Sequence, residues 1–145
     1  MLIDHYNEFL TALCIWREAR SASQDARLGV LCVINNRVAE ALKNPAKAKQ
    51  YGGTTQAQIV LMPYQFSSFN KTDPNAVLLP KPIQSSDWAA WQECCSLLDT
   101  PVEEDPTGGA QFYHSYQDPA DKRWPSWAQE DKMTARIGPF RFYKL

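Results

Sequence analysis

The sequence predicts an α+β fold in which a helical body carries a small antiparallel β-sheet. Apolar residues recur at helical spacing in three segments of the first two thirds of the chain, which predicts helices there. The last third holds two short aromatic-rich segments of strand character, the first of them directly after a Gly-Gly pair. A helical part followed by strands is typical of the α+β class. The 145 residues fit one domain, and we expect residues 1–145 to form it.

The first predicted helix spans Asp4 to Arg20 and is apolar on nearly every side. At about 100° per residue, one broad face carries Phe9, Ala12, Leu13, Trp16 and Ala19, and the remaining sides carry Leu10, Cys14 and Ile15. A helix that is apolar all round is buried. Glu18 is therefore expected near the end of a buried helix, held against a largely dry core.

The second predicted helix runs from about Asp25 to Leu42 and follows the first after a short turn. Ser21 or Ser23 is expected to cap it, with Gln24 placed three residues after Ser21 as in a capping box. Asn44-Pro45 is expected to end it. The two buried helices would form an αα-hairpin whose turn lies just beyond Glu18.

Residues Lys43 to Asn75 are predicted to form a long connection that contains one short helix near Thr55 to Leu61. A long irregular segment in a compact domain is more often functional than idle. This segment contains Pro63-Tyr64-Gln65-Phe66-Ser67.

The chain from Ser86 onward is expected to place a helix beside two paired strands. Ser86 is the predicted cap of that helix, and its core face is expected to carry Trp88, Trp91, Cys95 and Leu98. Segments Ala110 to His114 and Ile137 to Tyr143 are predicted strands that pair with each other. The Trp124 to Asp131 region is expected to be a loop that crosses between them.

Composition argues against several classes of function. The formal net charge of −1 gives no reason to expect nucleic acid or an anionic membrane surface as the main partner. No stretch approaches the length of a membrane span, so no membrane insertion is expected. The four cysteines are interpreted as reduced thiols, because Cys94 and Cys95 are adjacent and Cys14 and Cys32 lie in apolar stretches. None has metal-ligand spacing, so we expect no metal and no cofactor.

Local pattern leaves two interpretations of Glu18 open. It could be a helix-end carboxylate paired with Arg17 or Arg20, as structural ion pairs commonly are. Alternatively, burial could raise its pKa enough to keep a proton for donation to a glycosidic oxygen near neutral pH. The flanking arginines would oppose that rise.

Five short motifs occur in a fixed order and bear on this choice. They are Glu18-Ala19-Arg20, then Val33-Ile34-Asn35-Asn36-Arg37-Val38, then Tyr64-Gln65-Phe66-Ser67, then Asp105-Pro106-Thr107-Gly108-Gly109-Ala110 leading into Phe112-Tyr113, and finally Ala135-Arg136-Ile137-Gly138 with Phe142-Tyr143. In this order the chain resembles the SleB/CwlJ-like cell-wall hydrolase family, known from spore-cortex lytic enzymes and related bacterial and phage proteins.

The resemblance implies an α+β domain with a lysozyme-like active site that acts on peptidoglycan glycan strands without a metal. The glutamate matching Glu18 would be the essential carboxylate, cutting between N-acetylmuramic acid and N-acetylglucosamine. A single carboxylate suffices for lytic transglycosylation, which we favour. Hydrolysis by a muramidase would need a second carboxylate, for which Asp25, Asp105, Asp118 and Asp121 are the candidates, none with a distinguishing context. A non-catalytic peptidoglycan-binding module is the alternative from another class.

The predicted substrate-binding residues come from the matched motifs and the loops near them: Gln65, Phe66, Ser67, Tyr113, His114, Tyr116 and Trp124. Gln65 could bond a sugar N-acetyl group or only loop backbone, Phe66 is expected to anchor in the core, and strand alternation could place Phe112 inward instead of Tyr113. His114 is expected to be a surface or hydrogen-bonding residue rather than a catalyst. The chain departs from the family pattern at Ser21, where glycine is usual, at His114, where asparagine is common, and at Phe140, where histidine is frequent.

The start of the sequence, Met1-Leu2-Ile3-Asp4-His5, has neither a basic leader nor an apolar core typical of signal peptides. We therefore expect synthesis in the cytoplasm without a signal peptide and action on the cell wall, in the periplasm or outside the cell, after release or delivery. A holin or a secretion system would be the partner that delivers it.

Overall fold

A computed structural model describes residues 2–79, 85–99 and 101–145, and it confirms the α+β class. The helices of this part of the chain are α1 (Leu2–Ala19), α2 (Gln24–Lys43), α3 (Pro45–Tyr51), α4 (Gln56–Leu61) and α5 (Ser85–Asp99). Its strands are β1 (Phe112–His114), β2 (Met133–Ile137) and β3 (Phe140–Tyr143). Short 3₁₀ turns occur at Ser67–Phe69, Pro74–Val77 and Glu130–Lys132. No helix in this described part of the chain has the length and apolar character needed to cross a membrane.

Helices α1 and α2 form the predicted hairpin and supply most of the core. Every residue from Leu10 to Trp16 is at most 9% exposed, so the expected burial of α1 is confirmed over that stretch. Phe9, which the apolar pattern also placed on the buried face of this helix, is instead 49% exposed. Ser23 caps α2, its Oγ accepting from the Ala26 amide at 3.2 Å. The predicted Ser21–Gln24 capping box is wrong, because Gln24 is the first helical residue and its amide donates to the Glu93 carbonyl.

The segment after α2 is more helical than expected. Asn44 ends α2 as predicted, but it also caps α3, its Oδ1 accepting from the Ala46 amide at 3.0 Å. Pro45 occupies the first turn of α3, where its missing N–H has no partner to lose. The prediction of one short helix in a long connection is therefore wrong for residues 45–51. The other helix, α4, is confirmed, and Thr55 opens it with a capping box.

Helix α5 packs on α1 with part of the predicted face, because Trp91 and Leu98 pack against the core and Trp88 does not. Its most buried residues are Ala90 and Cys94, whereas Trp88 is 41% exposed and Trp91 is half-buried against Phe9, with ring centroids 5.9 Å apart. Ser86 is not the cap, because the helix already begins at Ser85. Small residues at 90 and 94 let α5 approach α1 closely, which leaves Trp88 at the margin of the contact.

The sheet has the order β1-β3-β2 and is antiparallel throughout. The predicted pairing of the two aromatic segments is confirmed, with Phe112 opposite Tyr143 and Tyr113 opposite Phe142. The predicted strand Ile137 to Tyr143 is wrong as one unit, because Gly138 has a φ of 56° and turns the chain between β2 and β3. Strand β2 was not predicted.

The sheet reaches the helices through β3. A Cβ at Gly29 of α2 would come within 2.5 Å of the Phe142 Cζ, so the absence of a side chain there lets β3 lie directly on α2. Phe142 is fully buried in the shared core. Its partner on β1, Tyr113, is thereby carried toward the end of α1. The four cysteines are free thiols, as expected, and Cys14, Cys32 and Cys94 are buried.

Candidate active site

Glu18 lies in the last turn of α1, half-buried, and its carboxylate accepts hydrogen bonds from two other elements. The Ser68 hydroxyl donates to Oε1 at 2.9 Å, and the Ser68 backbone amide lies 3.5 Å from the same oxygen. The Tyr113 hydroxyl of β1 also hydrogen-bonds the carboxylate. Glu18 therefore joins helix, 3₁₀ turn and sheet at one point.

The surroundings of Glu18 raise its pKa above the usual range of a glutamate. Burial is the largest cause, and the negative charge of Asp73 adds to it. The donors on Ser68 and Tyr113 act in the opposite direction, because they favour the ionised carboxylate. Burial also raises the pKa of Tyr113 well above its ordinary value, so its hydroxyl keeps its proton and remains a donor.

The arginines flanking Glu18 do not pair with it, which excludes the helix-end ion pair as an account of this residue. Arg17 donates from Nε to the Leu78 carbonyl at 3.1 Å and from Nη2 to the Ala76 carbonyl at 3.0 Å. Arg20 donates from Nη1 to the Asn75 side chain at 3.1 Å. Both guanidinium groups are thus directed away from the carboxylate, and the expected opposition to its pKa rise does not occur.

Arg17 and Arg20 instead fasten a neighbouring segment to the end of α1. All three of their acceptors on that segment lie in residues 75–78, and the Arg17 guanidinium also sits 4.7 Å from the centre of the Phe69 ring. Residues 67–78 carry Ser68, the hydroxyl donor to Glu18. The two arginines therefore help to position that donor.

A cleft of about 370 Å³ opens beside Glu18, a volume within the range of small-ligand sites. Segment 64–67 lines one part of it, and β1 with the loop that follows lines another. Of the predicted substrate-binding residues, the structure brings six to this cleft: Gln65, Phe66, Ser67, Tyr113, His114 and Tyr116. Phe66 is only 2% exposed, so its ring supports the cleft mainly from within the core, as expected of an anchor.

Trp124 is the predicted binding residue that the structure does not bring to the cleft. Its Nε1 donates to the Ala128 carbonyl at 3.1 Å, and its ring packs edge-on against His114 with centroids 4.4 Å apart. Trp127, from the same loop, lines the cleft instead. Both tryptophans lie in the region predicted to be a loop, and the sequence pattern could not tell which one faces a ligand.

Gln65 is held by a buried arginine that the sequence did not mark as a site residue. Arg37 is 4% exposed and donates from Nη1 to the Gln65 Oε1 at 2.9 Å and from Nε to the Gln111 carbonyl at 2.6 Å. Its guanidinium lies 5.2 Å from the Phe66 ring centre and 4.9 Å from that of Phe112. With the amide oxygen of Gln65 occupied, its amide nitrogen has no hydrogen-bond partner among the described residues and is available to a ligand.

His114 is a hydrogen-bonding residue, as the sequence indicated. Its side chain is buried, with Nδ1 accepting from the Tyr116 amide at 3.2 Å and Nε2 lying 3.0 Å from the Tyr143 hydroxyl. Burial lowers its pKa, and the nearby charge of Arg141 lowers it further, so the ring is neutral at neutral pH. Both ring nitrogens are engaged in holding the loop that begins at Ser115.

None of the four aspartates proposed from the sequence as a second carboxylate lines the cleft. Asp105 organises the Gly-Gly turn by accepting from the Thr107 and Gly109 amides at 2.8 and 3.0 Å. Burial would raise its pKa, but these and other hydrogen bonds outweigh that effect and lower it. Asp118 accepts from the Ala120 amide, and Asp121 is paired with Arg123. Asp25 lies in the first turn of α2.

Glu18 is thus the one carboxylate among the described residues that line this cleft. Within the same described residues, no three His, Cys, Asp or Glu side chains are grouped closely enough to hold a metal ion. Glu18 enters the cleft as a carboxyl group with a raised pKa and two hydroxyl donors, near the fixed amide of Gln65.

Comparison with known protein families finds one that matches most of the chain. A family model described as Cell Wall Hydrolase matches residues 21–143. The chain belongs to the cell wall hydrolase family. This confirms the resemblance to the SleB/CwlJ-like members and identifies peptidoglycan of the cell wall as what the protein acts on. The match begins just after Glu18, so the case for that residue rests on its geometry. No curated protein and no solved structure matches this cell wall hydrolase.

Proposed function

We propose that the protein is a lytic transglycosylase that cleaves peptidoglycan glycan strands between N-acetylmuramic acid and N-acetylglucosamine, with Glu18 acting first as acid and then as base. The observation that carries this proposal is that Glu18 is the one carboxylate among the described residues that line the cleft. Its pKa is raised, and two hydroxyl groups donate to it.

In the first half of the reaction, protonated Glu18 acts as general acid. It gives its proton to the glycosidic oxygen while the bond from that oxygen to C1 of the muramic acid breaks and positive charge develops at C1. A pKa raised by burial keeps a useful fraction of Glu18 protonated near neutral pH. The leaving N-acetylglucosamine departs with a free 4-hydroxyl group.

In the second half, the Glu18 carboxylate acts as general base. It takes the proton of the muramic acid C6 hydroxyl, and that oxygen forms a bond to C1 and closes a 1,6-anhydro ring. The hydroxyl groups of Ser68 and Tyr113 stabilise the carboxylate between the two steps. Glu18 ends the cycle protonated, and no water enters the products.

The remaining cleft residues are proposed to hold the strand. The free amide nitrogen of Gln65 suits a sugar N-acetyl carbonyl, because Arg37 fixes the orientation of the amide group. Ser67 is exposed beside it, and Tyr116 offers a half-buried ring from the other lining segment. Trp124 would act only indirectly, through its contact with His114.

One observation favours hydrolysis as a second candidate function. Asp73, which the sequence did not mark, lies close enough for its charge to raise the pKa of Glu18. A second carboxylate at a suitable separation could activate a water molecule. However, Asp73 already accepts from the Asn75 amide at 2.8 Å and from the Asn75 side chain at 3.0 Å, which gives it a role within its own turn. This supports transglycosylation over hydrolysis.

Digestion of purified sacculi by wild-type protein and by Glu18→Gln tests the proposal. The variant should lose glycan-strand cleavage by about 10²–10⁴-fold, the usual contribution of a general acid or base, while Glu8→Gln on the exposed start of α1 keeps wild-type activity. Mass spectrometry should find 1,6-anhydro muropeptides. Reducing muramic acid ends would favour the muramidase, and binding without any release would favour a non-catalytic module.

A further inference from the structure

We propose that the Tyr64 ring is a stacking surface for a saccharide of the glycan strand at the edge of the cleft. This assignment rests on the proposed function, and it names a binding residue that the sequence and the family match leave unassigned. Three independent features of Tyr64 carry it: its backbone conformation, its exposure and its anchoring beside Glu18.

The backbone at Tyr64 adopts a conformation that a tyrosine disfavours. The Gln65 amide donates to the Met62 carbonyl at 3.2 Å, Pro63 occupies the second position, and Tyr64 has a φ of 64° in the third. This is the pattern of a type II turn, whose third position favours glycine or asparagine. Among the described residues, Tyr64 is the one non-glycine residue with a positive φ. Strain of this kind concentrates at functional sites.

The side chain of Tyr64 contributes nothing visible to folding. It is 85% exposed, the largest value among the exposed large hydrophobic residues of the described chain. In that part of the chain it has no ring partner within stacking distance and its hydroxyl has no hydrogen bond. For folding alone, glycine or asparagine would suit this position better than tyrosine, because the backbone is strained and the ring is not buried. A ring that contacts a ligand would explain why tyrosine stands here.

The backbone that carries the ring is nevertheless held in a defined place. The Tyr64 amide donates to the Asn70 Oδ1 at 3.0 Å, Gln65 is fixed by Arg37, and Phe66 is buried in the core. Pro63 restricts the chain on the other side. Tyr64 also lines the same cleft as Glu18.

An exposed aromatic ring on a fixed stretch of backbone beside a cleavage site suits a pyranose. One face of such a sugar presents C–H groups that pack on an aromatic face, and tyrosine loses little conformational freedom when it binds. Because the turn already fixes the backbone, binding has to order only the two side-chain torsions of the tyrosine. The expected occupant is therefore a sugar ring of the strand whose scissile bond lies at Glu18.

Binding of soluble glycan strands, stripped of their stem peptides, tests the assignment. It is measured by calorimetry in a Glu18→Gln background so that the strands stay intact. Adding Tyr64→Asn, which suits the turn, should weaken binding about tenfold while the melting temperature stays unchanged or rises. Adding Tyr64→Phe or Tyr64→Trp should keep the affinity within about threefold. In the active enzyme, Tyr64→Asn should raise KM and leave kcat within about twofold.

Two outcomes would overturn the assignment, and only the second would also overturn the proposed function. If the parent protein binds and wild type cleaves, yet Tyr64→Asn binds as tightly as its parent, the stacking surface alone is wrong. If the parent does not bind the strands and wild type does not cleave them, both the stacking surface and the proposed function are wrong.

Discussion

Replacing Ser68 with alanine removes the hydroxyl that donates to Glu18 and changes little else. Ser68 is 2% exposed, and its Oγ lies 2.9 Å from the Glu18 Oε1. Because solvent barely reaches this serine, bulk water does not readily replace the lost hydrogen bond. This donor favours the ionised carboxylate and thereby lowers the pKa of Glu18 against the larger effect of burial. Without it, the pKa of Glu18 should move further up.

The size of the effect depends on the charge of Glu18. A hydrogen bond to a charged group contributes about 1.5–3 kcal/mol, and one between neutral groups about 0.5–1.5 kcal/mol. Ser68→Ala should therefore cost about 1.5–3 kcal/mol of unfolding free energy where Glu18 is ionised, and about half of that where it is protonated. At about 2–4 °C per kcal/mol for a chain of this size, the melting temperature should fall by about 3–12 °C in the ionised range.

Thermal melts at about pH 8 and about pH 4, on either side of carboxylate ionisation, test this directly. The loss caused by Ser68→Ala should be larger at the higher pH, and the alkaline limb of kcat/KM should move to higher pH, because Glu18 keeps its proton longer. Ser67→Ala is the matched control for the melts, since Ser67 is exposed in the same turn. An equal loss at both pH values, together with an unmoved alkaline limb, would refute the role given to Ser68.

Three further predictions concern the elements around Glu18. Glu18→Gln should raise the melting temperature at about pH 8 but have little effect at about pH 4. The pKa of Glu18 is higher in the folded protein than in the unfolded chain, so the folded protein loses stability as the pH rises and Glu18 ionises. An effect of the substitution that is the same at every pH would contradict this. Arg17→Gln should release residues 75–78 from α1, lower kcat/KM about tenfold and open that segment to limited proteolysis, whereas resistance equal to wild type would show that the arginine does not fasten it. Gly29→Ala should cost about 1–3 kcal/mol in urea unfolding, because its Cβ would collide with Phe142, and an unchanged midpoint would mean that β3 does not lie directly on α2.

Strong periodicity and hydrophobic pattern predicted the larger elements correctly. Residues close together in sequence are enough to indicate the burial of α1, its hairpin with α2 and the strand character of the paired segments β1 and β3. Asn44-Pro45 shows the limit of such signals. The pair was interpreted as an ending, yet Asn44 ends α2 and opens α3 at once, and proline is as suited to the first turn of a helix as it is unsuited to the middle.

The parts that the sequence missed depend on contacts distant along the chain. Strand β2 alternates between half-buried and exposed residues, so its hydrophobic signal is weak. Ser67 and Ser68 are identical in type, and only the fold of the 3₁₀ turn decides that Ser68 is buried against Glu18. Arg17 and Arg20 looked like partners of Glu18 because they are its neighbours in sequence, whereas their acceptors lie more than fifty residues away.

The central claim is that Glu18 alone, without an activated water, cleaves the glycan strand. Digesting sacculi with wild-type protein in water labelled with ¹⁸O and weighing the products tests it most directly. We predict muramic acid ends with the mass of a 1,6-anhydro ring and without the label. Muramic acid ends that carry one ¹⁸O at C1 would show that water is the nucleophile and would contradict the claim.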